Sequence, residues 1–278
     1  MLWDRSTLLL EEIRLYCVGP IRETRRGLVM NTSRRLLAAF LMVAGSVSAL
    51  MMTPSPAFAL NCIPGPPNVA TNSFLGMYDN EYSTGPRLEG SSANILTRTN
   101  TPCTNIDHSL ATWSMIADPY NRVTNHYAQA GYLYSPSGGL RAFTQANDGY
   151  TPATSYGPSL ANGTVYHFWT QYVPGTGRIN MNMGSTILAT SAFNPVAAWS
   201  NTPWQPQFFS EGQFYEDNMP GSPAHPVVWS DFQYQRYSDD QFIPSGCTLL
   251  ALNRDEPSYW SVDKLNCYDF HTYTRVQR

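Results

Sequence analysis

The sequence predicts an all-β protein built as a two-sheet antiparallel β-sandwich or jelly roll. Short runs rich in Tyr, Phe, Trp, Val and Thr recur along most of the chain, and clusters of Gly, Pro, Asn and Asp separate them. No window after Ala59 keeps apolar residues at helical spacing for three turns. About ten short strands at regular spacing favour two packed sheets over a mixed α/β fold.

Nine strands are predicted in order, and the segment 259–276 is expected to add one or two more. Each run combines aromatic or β-branched residues with a boundary of turn-forming residues. The predicted strands are 93–97, 109–117, 126–135, 140–145, 164–173, 178–183, 185–189, 207–215 and 227–235. The turns expected to supply positive φ are 137–139, 162–163, 174–177 and 183–185.

Residues 30–59 have the pattern of a secretory signal peptide. Arg34 and Arg35 precede an apolar run, and Ala57-Phe58-Ala59 fits the small-x-small cleavage rule. Cleavage after Ala59 would leave 60–278 as a single secreted β-sandwich domain, with 1–29 as a misassigned upstream extension. The alternative is an uncleaved anchor, since the apolar stretch 36–52 is at the lower edge of spanning length.

The cysteines predict two disulfides. Cys17 lies upstream of the signal segment, which leaves Cys62, Cys103, Cys247 and Cys267 in the exported part. An even set in an oxidising compartment favours two bridges with three possible connectivities. Pairing of near neighbours, Cys62 with Cys103 and Cys247 with Cys267, is preferred because each pair closes a local loop. The absence of CxxC spacing argues against a zinc site.

Charge and motifs exclude several classes of function. The chain has 17 Lys and Arg against 20 Asp and Glu, a net charge of −3, and Lys264 is its one lysine. Nucleic-acid binding needs a basic stripe and membrane-surface binding a basic amphipathic helix, and the sequence has neither. Nucleophile-elbow, H-E-x-x-H, P-loop and G-x-G-x-x-G motifs are absent, and spacing selects no Ser-His-Asp triad. No metal and no cofactor is implied, and the oligomeric state is left open.

Two predicted strands carry polar residues that could support chemistry. Strand alternation places Gln129 on one face with Tyr127, beside small residues that leave space around the amide. It likewise places Glu211 on a face with Tyr215 in a strongly aromatic strand. Desolvation there would raise the pKa of Glu211 and allow it to move a proton at mildly acidic pH. Gln129 and Glu211 are therefore the candidate catalytic residues, and Tyr127 and Tyr215 candidate substrate contacts.

The order of three segments resembles the eqolisin-type glutamic peptidases and, more loosely, the neprosin domain. The segments are 110–116 (Leu-Ala-Thr-Trp-Ser-Met-Ile), 127–131 (Tyr-Ala-Gln-Ala-Gly) and 208–211 (Phe-Phe-Ser-Glu). The resemblance implies a jelly-roll or concanavalin-like sandwich whose concave face holds a glutamine and a glutamate, corresponding here to Gln129 and Glu211. Neprosin-type proteins use two glutamates, whereas position 129 is glutamine.

The resemblance implies an endopeptidase that acts at acidic pH. A water between the carboxylate and the amide would lose its proton to Glu211 as it attacks a peptide carbonyl, while the Gln129 amide stabilises the oxyanion. The alternative is that Gln129 hydrogen-bonds across the sheet, and that Glu211 is solvated or pairs with an arginine such as Arg141 or Arg178.

The tryptophans favour a rival interpretation, a non-catalytic carbohydrate-binding module or a structural module. Aromatic faces stack on sugar rings, while Asn, Gln and Asp bind the hydroxyls. Trp199 and Trp204 lie in a Pro-rich loop ahead of Glu211 and are the candidates for a ligand-contacting wall. Trp113 and Trp169, inside good strands, are expected in the core. The expected partner is therefore an extracellular polymer, peptide or glycan.

Overall fold

The computed structural model describes residues 73–79, 87–100, 109–118, 126–150, 152–199, 204–212, 217–253 and 258–276. These residues form fifteen strands and one short helix, which confirms the all-β prediction. The strands are β1 Ser73–Asp79, β2 Leu88–Leu96, β3 Leu110–Ala117, β4 His126–Ser135, β5 Gly139–Asp148, β6 Ala153–Ser159, β7 Val165–Val173, β8 Arg178–Met183, β9 Thr186–Thr190, β10 Gln205–Gly212, β11 Val227–Arg236, β12 Phe242–Pro244, β13 Leu249–Asn253, β14 Trp260–Lys264 and β15 Phe270–Thr274. The helix α1 is Pro195–Ala198.

Two antiparallel sheets form the sandwich. The seven-stranded sheet has the order β13-β1-β10-β3-β4-β5-β6, and the eight-stranded sheet has the order β14-β15-β11-β2-β7-β8-β9, with β12 paired to β11. Six of the thirteen pairings among the described strands join strands that are not consecutive in sequence, such as β3 beside β10 and β2 beside β11. The strand order therefore depends on non-local pairing.

Alternate side chains of both sheets fill the layer between them. The buried interior cluster includes Ala93 and Ile95 from β2, Ala128 from β4, Phe168 from β7 and Phe208 from β10. The residues that alternate with these along each strand therefore point to the outer faces of the two sheets. On the seven-stranded sheet the outer face is also buried, and its residues form a separate apolar cluster.

All nine strands predicted from the sequence are present, and the segment 259–276 contains β14 and β15. The bounds of β4 and β8 are those predicted. All four predicted turns contain a glycine with positive φ: Gly139, Gly163, Gly177 and Gly184. Four strands were missed, namely β1, β6, β12 and β13.

The predicted bridge between Cys247 and Cys267 is present, with the two Cα atoms 4.5 Å apart. It ties the turn before β13 to the loop between β14 and β15. The predicted signal peptide at 30–59, the extension 1–29, Cys62, Cys103 and Tyr215 lie outside the described residues. Within the described ranges, no helix is long and apolar enough to cross a membrane.

Candidate functional site

Glu211 is a buried carboxyl on the outer face of the seven-stranded sheet. It lies near the end of β10 and pairs in register with Phe74 of β1 and Ala111 of β3. Its Oε2 atom accepts a hydrogen bond from Nε1 of Trp113 over 2.9 Å. Burial raises the pKa of Glu211 to about 7, and the Trp113 hydrogen bond opposes part of this rise. Glu211 can therefore exchange a proton near neutral pH.

Aromatic rings surround the carboxyl group. Trp113 contacts Phe209 edge to face with ring centroids 5.4 Å apart, and Phe74 contacts both rings at 6.3 and 6.0 Å. All three residues are at most 3% exposed. This apolar setting explains why the neutral form of Glu211 is favoured, since water cannot solvate the charge.

No cation compensates the Glu211 charge among the described residues. Arg141 donates to the Gly157 carbonyl and lies over the Tyr156 ring, and Arg178 lies beside the Ser191 carbonyl. The expected pairing of Glu211 with either arginine is thus not found, and burial excludes a solvated carboxylate. The carboxyl group is held by the Trp113 indole instead.

Gln129 lies on the same outer face, in β4, and is also buried. Its Nε2 atom donates to Oε1 of Gln145 over 3.3 Å, and the Tyr127 hydroxyl donates to the same oxygen over 2.6 Å. Nε2 of Gln145 in turn donates to the Thr154 hydroxyl over 2.8 Å. The cross-sheet hydrogen bond expected for Gln129 as an alternative to catalysis is therefore present.

Glu211 and Gln129 share a face but occupy different rows of the sheet. Glu211 is level with Ala111 of β3 and Leu133 of β4, whereas Gln129 is level with Met115 and with Gln207 of β10. The two residues are thus two strands and four residues apart, which is about 13 Å along the strand direction. Trp113 pairs with Phe209 and Gly131 in the row between these two levels.

Gly131 lets β4 pair closely with β3 at Thr112 and Trp113. A Cβ atom at position 131 would clash with the carbonyl oxygen of Thr112 and would lie 2.6 Å from the Cα and 2.8 Å from the Cβ of Trp113. Glycine is therefore required where β3 and β4 pair closely at this level. Gly131, one of the small residues expected to leave space around Gln129, instead allows the close approach of the β3 backbone.

Trp199 and Trp204 do not form an open wall. They are 5% and 0% exposed, and their rings meet edge to face at 4.6 Å with an interplanar angle of 72°. Trp204 packs against Tyr172, and Trp199 stacks on His126. Both rings lie inward instead of forming the expected exposed wall, because large aromatic surfaces gain most from burial.

A second buried glutamate was missed in the sequence. Glu89 of β2 has a fully buried side chain and pairs with Arg87 at 3.3 Å, while Arg87 also lies over the rings of Trp204 and Tyr237. Burial raises the pKa of Glu89 to about 7, against the opposing effect of Arg87. The sequence signal for this residue was an acidic side chain at the start of an otherwise uncharged strand. Because Glu89 has a cation partner and Glu211 has none among the described residues, Glu89 is assigned a structural role.

The described part of the chain contains no cluster of three or more His, Cys, Asp or Glu residues suited to a metal ion.

No family model and no curated protein matches the sequence. Solved structures of eqolisin-type glutamic peptidases are similar in fold. Scytalido-glutamic peptidase with a transition state analog inhibitor has a TM-score of 0.52 at 10% identity, covering 73% of this chain and 98% of that chain. SCP-B, a member of the Eqolisin family of peptidases in a complex with the tripeptide Ala-Ile-His, has a TM-score of 0.49 at 8% identity, with the same coverage. The two-sheet sandwich implied by the family resemblance is thus shared with the structure of scytalido-glutamic peptidase.

Proposed function

We propose that residues 60–278 form a secreted glutamic-peptidase-like hydrolase that acts on peptides across the outer face of the seven-stranded sheet. Glu211 is its general acid and base. The observation that carries this proposal is the buried, cation-free setting of Glu211, which raises its pKa to about 7. The fold shared with peptidase structures supports the choice of substrate class.

The hydrogen-bonding of Glu211 determines which oxygen can act. Oε2 accepts the Trp113 N–H, so Oε1 is the oxygen available to a substrate or a water. Below about pH 7 the group is mostly protonated, and Oε1 can give its proton to the peptide carbonyl as water attacks. The resulting carboxylate then takes a proton from that water and delivers it to the leaving nitrogen.

Gln129 belongs to a row of amides that can bind a peptide backbone. Gln207, Gln129 and Gln145 occupy the same level of β10, β4 and β5, with Met115 of β3 between the first two and the Thr154 hydroxyl of β6 at the end of the row. Amide groups supply both donors and acceptors, which match the alternating groups of an extended peptide. Gln129 lies about 13 Å from Glu211 along the strand direction, which is too far for its amide to reach an oxyanion at Glu211. Its proposed role is therefore to bind the peptide backbone.

Peptide binding without hydrolysis is the second candidate function. It is favoured by one observation, the four-residue offset between Gln129 and Glu211 together with their separate hydrogen-bond partners. A protein of this kind would hold an extended peptide on the amide row and leave its bonds intact.

The decisive experiment compares wild-type protein with Glu211→Gln on an unfolded protein substrate between pH 4 and 8. We expect wild-type cleavage at mildly acidic pH, falling above about pH 7 as Glu211 loses its proton. Glu211→Gln should lower the rate by about a hundredfold or more. Glu89→Gln is the control, because it removes a second buried carboxyl with a raised pKa from the other sheet.

Absence of cleavage by the wild type at every pH would overturn the hydrolase proposal. Peptide binding measured by fluorescence anisotropy in the same preparation would then support the second candidate. Export is tested separately by sequencing the N-terminus of the protein recovered from the medium. Leu60 is the expected first residue, and an intact N-terminus on membrane-embedded protein would contradict secretion.

A further inference from the structure

A serine and a histidine form a close pair on the outer face of the eight-stranded sheet. Ser92 of β2 and His167 of β7 are 75 residues apart in sequence, yet Ser92 Oγ lies 2.6 Å from His167 Nε2. Neighbouring Ala93 and Phe168 point into the sandwich, so Ser92 and His167 point away from it. A hydroxyl within hydrogen-bond reach of an imidazole is the arrangement that activates a serine nucleophile.

The imidazole is in the form that a base requires. Partial burial lowers the pKa of His167, which favours the neutral ring, and the nearby Asp231 opposes this shift. Nε2 of the neutral ring can accept the Ser92 proton, provided that Nδ1 carries the ring proton. The negative charge of Asp231 then favours the imidazolium that forms when the proton is transferred.

The backbone at Asp231 is unusual. Asp231 has φ of 54°, one of two non-glycine residues with positive φ in the described part of the chain. It lies where the pairing of β11 with β2 shifts register between Ser230 and Gln233. Bulges and left-handed non-glycine residues re-aim side chains and are enriched at functional sites. Asp231 is exposed, its Oδ1 atom accepts a hydrogen bond from Nε2 of Gln233 over 3.2 Å, and its negative charge raises the pKa of His167 against the effect of burial.

Two further side chains, those of Trp169 and Asn94, lie beside the Ser92–His167 pair. Trp169, directly opposite Ser92 in register, is half-buried and meets Phe242 edge to face at 5.7 Å, which forms an apolar wall. Asn94, opposite His167, places a side-chain amide on the same face as Ser92. Ser92 itself is 2% exposed, so only a small acyl group can reach its hydroxyl.

We propose that Ser92, His167 and Asp231 form a second hydrolytic site, separate from Glu211, that cleaves small carboxylic esters. Ser92 is the nucleophile, His167 the general base and acid, and Asp231 a positioning residue. Trp169 contacts the acyl group, and the Asn94 amide donates to the oxyanion.

The proposed reaction has two balanced steps. Ser92 Oγ bonds to the ester carbonyl carbon while its proton passes to His167 Nε2, and that proton leaves with the alcohol as the ester C–O bond breaks. Water then attacks the acyl-serine, His167 takes and returns its proton, and the carboxylic acid departs with Ser92 restored. No redox change and no further reactant is involved.

The experiment uses the full chain with 4-nitrophenyl acetate. A burst of nitrophenol equal to the enzyme concentration is expected, and acid quenching followed by peptide mass spectrometry should find the acetyl group on Ser92. Ser92→Ala should abolish the burst, and His167→Gln should slow it by about a hundredfold. Ser91→Ala is the matched control, since the Ser91 side chain faces the layer between the two sheets and forms hydrogen bonds with the hydroxyls of Ser114 and Thr170.

Two variants separate catalysis from folding. Ser92→Cys keeps the side-chain volume close to that of serine and should be acetylated as a thioester, which shows that position 92 supplies the nucleophile. Asp231→Asn is chosen because asparagine, like aspartate, adopts positive φ. This variant should slow acylation several-fold and lower the pKa of His167 measured by NMR. A purely structural role for Asp231 would leave that pKa unchanged.

Glu211→Gln should retain the burst, so failure of the peptidase proposal and failure of this proposal are distinguishable. Wild-type protein without a burst, acetylation only at residues other than Ser92, or full activity in Ser92→Ala would each overturn the second site.

Discussion

The indole of Trp113 holds the carboxyl of Glu211 by a single 2.9 Å hydrogen bond between adjacent strands of the seven-stranded sheet. Trp113 thereby has two opposite effects on Glu211. Its ring excludes water, which raises the pKa of the carboxyl, while its N–H stabilises the charged form, which lowers it. The balance between burial and this one donor sets the pH range in which Glu211 can exchange a proton.

Replacing the donor should move that range. Trp113→Phe keeps an aromatic ring but removes the N–H, so we expect the pKa of Glu211 to rise above about 7. The carboxyl signal of Glu211 can be followed by NMR or by isotope-edited infrared spectroscopy across a pH titration. An unchanged or lower pKa would mean that the hydrogen bond does not stabilise the charged form.

The same variant should cost stability through packing. Removing part of a 2%-exposed Trp leaves a cavity, for which about 2–4 kcal/mol of unfolding free energy is expected. Repeating Trp113→Phe in a Glu211→Gln background separates the packing cost from the interaction between the two side chains. A coupling energy of zero above pH 7 would show that the hydrogen bond contributes nothing to stability.

Gly131 is predicted to be intolerant of any side chain. Gly131→Ala would place a methyl group within 2.8 Å of backbone and side-chain atoms of Trp113, so β3 and β4 must separate. A loss of about 1–3 kcal/mol is expected in urea denaturation. Gly175→Ala is the matched control, because no atom lies within 4 Å of its added Cβ, and it should be nearly neutral.

The Cys247–Cys267 bridge should contribute through the unfolded state. It closes a loop over a sequence separation of 20, for which chain-entropy arguments give about 3 kcal/mol. Cys247→Ser combined with Cys267→Ser should lower the unfolding free energy by that amount, and thiol labelling of the denatured, unreduced wild type should find neither residue reactive. Labelling of either cysteine would contradict the bridge.

Local chemistry made most of the fold predictable. The bounds of β4 and β8 follow from aromatic and apolar alternation that ends at glycine turns. The missed strand β6 is an edge strand of the seven-stranded sheet and contains Gly157 and Pro158. Most of its residues are exposed, so its sequence lacks the apolar alternation that marks a buried strand. The missed strand β13 contains Leu and Ala in place of β-branched residues.

The site was predictable only as far as the face of each strand. Period-two alternation grouped Gln129 with Tyr127 on one face of β4, and the family resemblance implied that Gln129 and Glu211 share a face. The structure places both residues on the outer face of the seven-stranded sheet. Their offset depends on the register of β3 with both β10 and β4, which arises from long-range pairing. The Ser92–His167 contact depends on the same kind of non-local pairing, between β2 and β7.

The clearest test of the Glu211 environment is a stability measurement that needs no substrate. The carboxyl has a pKa of about 7 in the folded protein and an ordinary value of 4.5. The folded state therefore binds more protons between these two pH values, and wild-type stability should fall as pH rises from 4.5 to 7.

Glu211→Gln should remove that contribution to the pH dependence. At pH 5 the wild-type carboxyl is neutral and Gln gains no advantage, whereas at pH 8 the wild type must bury a charge. The shift in pKa corresponds to about 3 kcal/mol, from which burying the extra amide donor subtracts about 1. We therefore expect the variant to be about 2 kcal/mol more stable than wild type at pH 8, measured by urea denaturation.

Because Glu89 is present in both proteins, its own titration cancels in the comparison. A difference that stays constant from pH 5 to 8 would show that Glu211 titrates at its ordinary pKa, and would remove the physical basis for its role as acid and base.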